Sequence, residues 1–166
     1  MIQGKTSGGD FVDRVRREWA SALPDLDTSP IEILGRIGRI ASKSNAVFEA
    51  ALAPTGVSRA EFDVLGALRR ADRPLRASEV TSVTLMSGAS TTKISERLVS
   101  QGLLERLKLE RDGRVVLLRL TDTGRELVDR VFPLRIEADR ELLEGLSAEH
   151  MATLADLLRR VALNAD

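Results

Sequence analysis

Between Asp10 and Leu23, the apolar residues Phe11, Val15, Trp19 and Leu23 repeat every four positions, which predicts a short amphipathic helix. Pro24 and the Asp-Leu-Asp-Thr-Ser-Pro stretch end it. From Ile31 to Leu52 the positions Ile33, Leu34, Ile37, Ile40, Val47, Phe48 and Leu52 keep helical spacing and predict one long helix. Ala53-Pro54-Thr55-Gly56 breaks that pattern. Ser58, with Glu61 three residues on, forms a capping box ahead of a helix over 59–71 that carries Phe62, Leu65 and Leu68. After Pro74, residues 77–83 read as a short helix. The tight connection Leu85-Met86-Ser87-Gly88 then opens another helix, which runs to Gln101 with Gly102 as its left-handed terminator.

Past Gly102 the character of the chain changes. Leu103 to Leu109 and Val115 to Leu120 alternate or are β-branched, and they flank Glu110-Arg111-Asp112-Gly113-Arg114, which predicts a hairpin with an Asp-Gly turn. Thr121 caps a long helix to about Glu144, with an interruption or kink expected at Pro133. Ser147 caps a last helix with the apolar stripe Met151, Leu154, Leu157, Leu158 and Val161. Residues 1–9, rich in Gly and Ser, are expected to form a disordered tail.

Two short helices joined by a tight turn and followed at once by a charged hairpin define a winged helix-turn-helix, expected here over 57–120. The fold class is therefore mainly α with a small β-hairpin wing. The region 10–23 is an extra N-terminal helix. The regions 30–53 and 121–164 carry apolar stripes that the winged helix alone cannot cover, so they read as a helical dimerisation region of a homodimer.

Composition narrows the function classes. A length of 166 residues with 43% apolar and 30% charged positions is that of a globular chain in the one-domain range. No apolar run approaches the ~20 residues needed to cross a bilayer, and the first residues lack the apolar stretch of a secretory signal, so a cytoplasmic protein without a membrane partner is expected. No cysteine is present, which excludes disulfides and thiolate metal sites. A single histidine, His150, and no Gly-rich phosphate loop leave no nucleophile–base set. An enzyme is not expected, nor any cofactor or metal.

The net charge is zero, but its distribution is uneven. From Arg59 to Arg119 there are 12 Lys/Arg against 8 Asp/Glu, while the flanking segments are acidic. A basic middle between acidic ends points to one segment that meets a polyanion. Within it, the helix opened by Ser87 or Gly88 puts Ile94 and Leu98 on one side and Ala89, Thr92, Lys93 and Glu96 roughly opposite. Such short or flexible side chains suit entry into a major groove ~12 Å wide. Ser87, Ser90 and Thr91 sit at the helix N-terminus, where free N–H groups favour phosphate, and Arg97 flanks the reading face. Arg111 and Arg114 bracket the turn of the wing, from which an arginine can enter a narrow minor groove. The partner implied is a double-stranded DNA operator. A winged-helix module that binds protein instead would need an apolar face in place of Thr92, Lys93 and Arg97.

The segments GVSRAEFDVLGAL, SGASTTKISERLVSQGLLER and ERDGRVVLLRLTDTGREL resemble the core of the MarR (multiple antibiotic resistance regulator) family, the last being its wing and the Arg-Leu-Thr-x-x-Gly entry to the next helix. The resemblance implies a two-fold dimer on a pseudo-palindromic operator, usually as a repressor relieved by a small ligand. It also implies that Asp112 supports the wing by pairing with Arg114, leaving Arg111 or Arg114 as the groove contact. Trp19 on the extra helix, Asp63 in EFDVL and Arg106 in GLLER resemble the family's urate-responsive subgroup, where the corresponding residues surround an anionic ligand. Ile94 stands where that subgroup carries an arginine, so the effector class stays open between a urate-like purine and an aromatic or phenolic acid.

Overall fold

Most helices begin where a side chain takes over from a missing backbone partner. The computed structural model describes residues 9–109 and 112–165. In chain order its elements are α1 (Phe11–Ala22), α2 (Pro30–Leu52), α3 (Arg59–Ala71), β1 (Leu75–Arg76), α4 (Ala77–Thr84), α5 (Gly88–Ser100), β2 (Leu104–Leu109), β3 (Asp112–Leu120), α6 (Asp122–Leu142) and α7 (Ala148–Ala162). Asp10 caps α1, Ser58 caps α3, Ser87 caps α5, Thr121 caps α6 and Ser147 caps α7, each accepting from backbone N–H groups in the first turn. For α3 the box is reciprocal, because the Glu61 carboxylate accepts from the Ser58 N–H at 2.7 Å. Gly102, at φ 71°, follows α5 in the left-handed region.

Two expectations change. Pro133 does not interrupt α6, which runs through it from Asp122 to Leu142. The predicted hairpin is part of a three-stranded antiparallel sheet in the order β1-β3-β2. Leu75 and Arg76 pair with Leu118 and Leu117, on the edge of β3 that the hairpin leaves open. The β2–β3 register sets Leu104 opposite Leu120 and Arg106 opposite Leu118, with an irregularity between Lys108 and Leu109. The tail expected over 1–9 lies, but for Gly9, outside the described residues.

The described residues form two compact units that divide within α2, between Ala46 and Val47. In the first unit α1 is held to the start of α2 largely by charge. Arg36 donates to Asp10 at 2.9 Å and to Asp13 at 2.7 Å, the same two carboxylates that build the cap of α1. That backbone and guanidinium bonding holds the Asp10 carboxyl below its usual range. Arg16 pairs with Glu32, and Arg39 lies 4.3 Å from the Phe11 ring centre. Gly35 is where the helices come close: a Cβ there would sit 3.1 Å from Val12 Cγ1.

In the second unit the core joins Phe48 and Leu52 to Phe62, Leu65 and Leu68 of α3, Val80 of α4, Leu98 of α5, Leu104 and Leu118 of the sheet, and Leu127 and Val131 of α6. Phe48 and Phe62 meet edge to face at 5.0 Å. By contrast, α7 buries none of its residues, and its stripe of Met151, Leu154, Leu157, Leu158 and Val161 stays 38–53% exposed in the single chain.

Candidate nucleic-acid interface

Between α4 and α5 the chain turns on Leu85, whose φ of 56° and ψ of 25° put it in the left-handed region. Ser87 then caps α5, its Oγ accepting from the Ser90 N–H at 3.2 Å and lying 2.9 Å from Ser90 Oγ. On the inner side of α5, Leu98 is fully buried and Ile94 packs against the core. The outer side presents Ala89, Ser90, Thr92, Lys93 and Glu96 to solvent. Thr92 Oγ1 donates to the Gly88 carbonyl at 3.0 Å, which keeps that side chain close against its own helix. Among the described residues Lys93 has no ion-pair partner. The exposed face is thus short, polar and carries an uncommitted cation.

Thr91 does not join Ser87 and Ser90 at the phosphate-binding end of the helix, because its side chain is wholly buried. Its hydroxyl donates to the Ser87 carbonyl at 3.1 Å and accepts from Thr81 Oγ1 at 3.0 Å, which satisfies it between α4 and α5. Ser95 is buried one turn on, donating to the Thr91 carbonyl at 2.7 Å.

Arg97 also has a different task from the one its position suggests. Its guanidinium lies 3.0 Å from the Glu61 carboxylate, with a longer contact of 3.4 Å to the Gly56 carbonyl. Glu61 is 2% exposed, so Arg97 neutralises a buried charge and ties α5 to the start of α3. Glu96 on the reading face pairs with Arg106 of β2 at 3.5 Å, which offsets the repulsion it would otherwise present to phosphate. Sequence spacing brought neither pair together.

The wing is built by β2 and β3. Arg111 lies outside the described residues, as do the side chains of Asp112 and Arg114, so the expected ion pair and groove contact there are not described. Behind the wing, Thr121 stitches β3 to α6: its Oγ1 donates to the Gly102 carbonyl at 2.7 Å and accepts from the Gly124 N–H at 3.0 Å. Gly124 is required by contact, because a Cβ there would fall 2.2 Å from the Leu103 carbonyl oxygen. This gives the Thr-x-x-Gly sequence a steric reason.

Comparison with known proteins now decides the family. Residues 55–115 match the MarR family. The multiple antibiotic resistance protein MarR of Escherichia coli is 33% identical over 132 residues, covering 77% of this chain and 90% of that protein. The transcriptional regulator PecS of Dickeya dadantii is 30% identical over 152 residues, covering 90% of this chain and 92% of that one.

The chain belongs to the MarR family.

A mutant of E. coli MarR in complex with operator DNA superposes with a TM-score of 0.67 at 29% identity, over 86% of this chain and 96% of that one. BpsR of Bordetella bronchiseptica, whose DNA binding is regulated by 6-hydroxynicotinic acid, gives a TM-score of 0.66 at 26% identity, over 78% and 92%. The protein is therefore a DNA-binding transcriptional regulator of the MarR family and not an enzyme. No helix among the described residues is long and apolar enough to cross a membrane.

In this MarR-family chain a cleft of about 460 Å³ opens between α3 and α6, with Phe62, Asp63, Arg69, Arg70, Phe132 and Arg135 among its walls. Arg69 bridges it to Asp129 of α6 at 2.7 Å, and that bond holds the Asp129 carboxyl below its usual range. Arg135 pairs with Asp139 and lies over the Phe48 ring. Arg70 has no ion-pair partner among the described residues. Of the three effector residues expected from sequence, Asp63 lines this cleft and pairs with Arg59 at 3.3 Å. Arg106 is engaged by Glu96 instead, and Trp19 is half exposed in the first unit. The cleft itself had no sequence signal, since its walls come from two helices far apart in the chain.

Proposed function

We propose that this protein is a homodimeric repressor that binds a pseudo-palindromic operator and is released by a small aromatic anion. The observation that carries the release step is that one helix, α3, both walls the cleft and holds the reading helix. Phe62 and Asp63 line the cleft, while the adjacent Glu61 grips Arg97 of α5. A planar acid seated between Phe62 and Phe132, with its carboxylate on Arg70, adds a negative charge beside Asp63 and presses on the turn that fixes α5. The uncommitted Arg70 and the rings of Phe62 and Phe132 favour an aromatic or phenolic acid over a urate-like purine, in keeping with the 6-hydroxynicotinic acid named for BpsR. The uncovered stripe of α7 supports a second copy of the chain as the other half of the repressor. Two reading helices one turn of B-DNA apart, roughly 34 Å, then match two half-sites.

The test is a fluorescence-anisotropy titration of the protein–operator complex with 6-hydroxynicotinate, salicylate and urate. One of the acids releases the wild-type protein, and Arg70→Ala keeps operator affinity but responds only at much higher acid concentration. Release of the variant at wild-type acid concentrations would remove the cleft from the mechanism, and a monomer in sedimentation would remove the dimer.

A further inference from the structure

The turn between the two helices of the motif carries an expensive residue. Leu85 is one of two non-glycine residues with positive φ among those described, and the other, Asp72, is of a type that tolerates this region. A leucine there crowds its Cβ against the following carbonyl, a cost that glycine avoids. The side chain recovers nothing from the fold, because Leu85 is 94% exposed, the most exposed of the large apolar residues among those described. The neighbours divide the work: Met86 packs against the core, while Val83 is 57% exposed and Ser87 starts α5. Strain that the fold does not repay is the kind retained for a contact with something else.

What that partner is follows from position. Leu85 stands two residues before the cap of α5, and Ser87, Ala89 and Ser90, which follow it in the chain, are exposed as it is. A ligand seated on the start of α5 is thus within two residues of Leu85 along the chain. On the reading given above, that ligand is duplex DNA, whose major groove offers one apolar group to an aliphatic side chain, the C5-methyl of thymine. We infer that Leu85 is a specificity-determining residue, an apolar prong that packs on a thymine methyl at the outer edge of each half-site. The inference rests on the DNA-binding reading and adds a base preference to it.

The experiment uses the full-length protein and a duplex selected by it from a random-sequence pool, with each thymine in turn replaced by deoxyuridine, which lacks only the methyl. One replacement weakens the wild-type protein by about fourfold, the scale of one buried methyl group. Leu85→Gly and Leu85→Asn, both compatible with the left-handed region, bind the thymine duplex more weakly by at least that factor and do not sense the replacement. Leu85→Met, which keeps an apolar chain, does sense it. The losses leave the salt dependence unchanged, because no phosphate contact is removed. Leu85→Gly also melts about 2–4 °C higher than wild type as the strain is relieved. Equal affinity of the glycine and asparagine variants, equal sensitivity to deoxyuridine, or a lower melting temperature for Leu85→Gly each overturns the inference while DNA binding stands. A wild-type protein that selects no duplex overturns the regulatory reading and this inference together.

Discussion

Arg97 reaches back from the reading helix to place its guanidinium 3.0 Å from Glu61, a carboxylate that the fold almost completely removes from water. Ser58 satisfies one side of that carboxylate through its N–H at 2.7 Å and its hydroxyl at 2.8 Å, and Arg97 supplies the only charge of opposite sign paired with it among the described residues. One buried charge therefore joins a helix cap, the α3 helix and the orientation of α5.

Removing Arg97 should cost stability before it costs DNA affinity. Breaking a buried pair from one side leaves a desolvated charge, a penalty of several kcal/mol when both partners are buried. Arg97 is more than half exposed, so solvent replaces part of what is lost, and Arg97→Ala should lose about 1–2 kcal/mol in urea unfolding. Glu61→Gln should lose less, because the amide oxygen can still accept from Ser58. If Arg97→Ala left the urea midpoint unchanged but flattened the salt dependence of DNA binding, Arg97 would be a phosphate anchor after all.

Gly124 offers a sharper steric test. Alanine is the better helix former by about 1 kcal/mol, so on propensity alone Gly124→Ala would stabilise α6. The added Cβ would nevertheless lie 2.2 Å from the Leu103 carbonyl oxygen, a distance at which the backbone must move. We expect a net loss of about 2–3 kcal/mol, read from the shift in denaturation midpoint. A stabilised variant would mean that α6 and the connection between α5 and β2 are not in contact as described.

Local signals were legible in the sequence, and long-range ones were not. The caps at Ser58, Thr121 and Ser147 could be read because a cap and its target lie within three residues of each other. Gly102 was legible for the same reason. The strand Leu75–Arg76 was not, since its pairing is offered by the distant β3 rather than by any alternation of its own. Thr91 looked like part of the phosphate-binding start of α5 because its place in the first turn does not show that Thr81 waits on the neighbouring helix to hydrogen-bond its hydroxyl. Arg97 looked free because its partner Glu61 was already explained as a cap residue. The α3–α6 cleft depends on which faces of two remote helices meet, and no window of sequence holds both.

The Asp129–Arg69 bridge gives the protein an acid-sensitive link across the mouth of the cleft. The Arg69 hydrogen bond lowers the Asp129 pKa from its ordinary value of 3.8. A depressed folded-state value means that the stabilisation is complete above the unfolded pKa and is lost as pH falls through the folded one. Wild-type protein and Asp129→Asn should therefore differ in melting temperature well above pH 3.8, and the gap should narrow as pH falls below that value. A constant gap across that window would show that the asparagine variant loses packing rather than charge.

Lys93 separates the DNA-reading role of α5 from its structural role. It is exposed, sits at the centre of the outward face and has no ion-pair partner among the described residues, so Lys93→Ala should leave the melting temperature unchanged. If it lies against DNA, it neutralises one phosphate and releases the counterion condensed there. The variant should then bind duplex more weakly by about three- to tenfold at low salt, with the slope of log affinity against log salt reduced by roughly one. The loss should be similar for operator and for unrelated duplex, since a phosphate contact carries no base information. A loss confined to the operator would instead place the ammonium on a guanine edge. No loss on either duplex would move the reading surface away from α5.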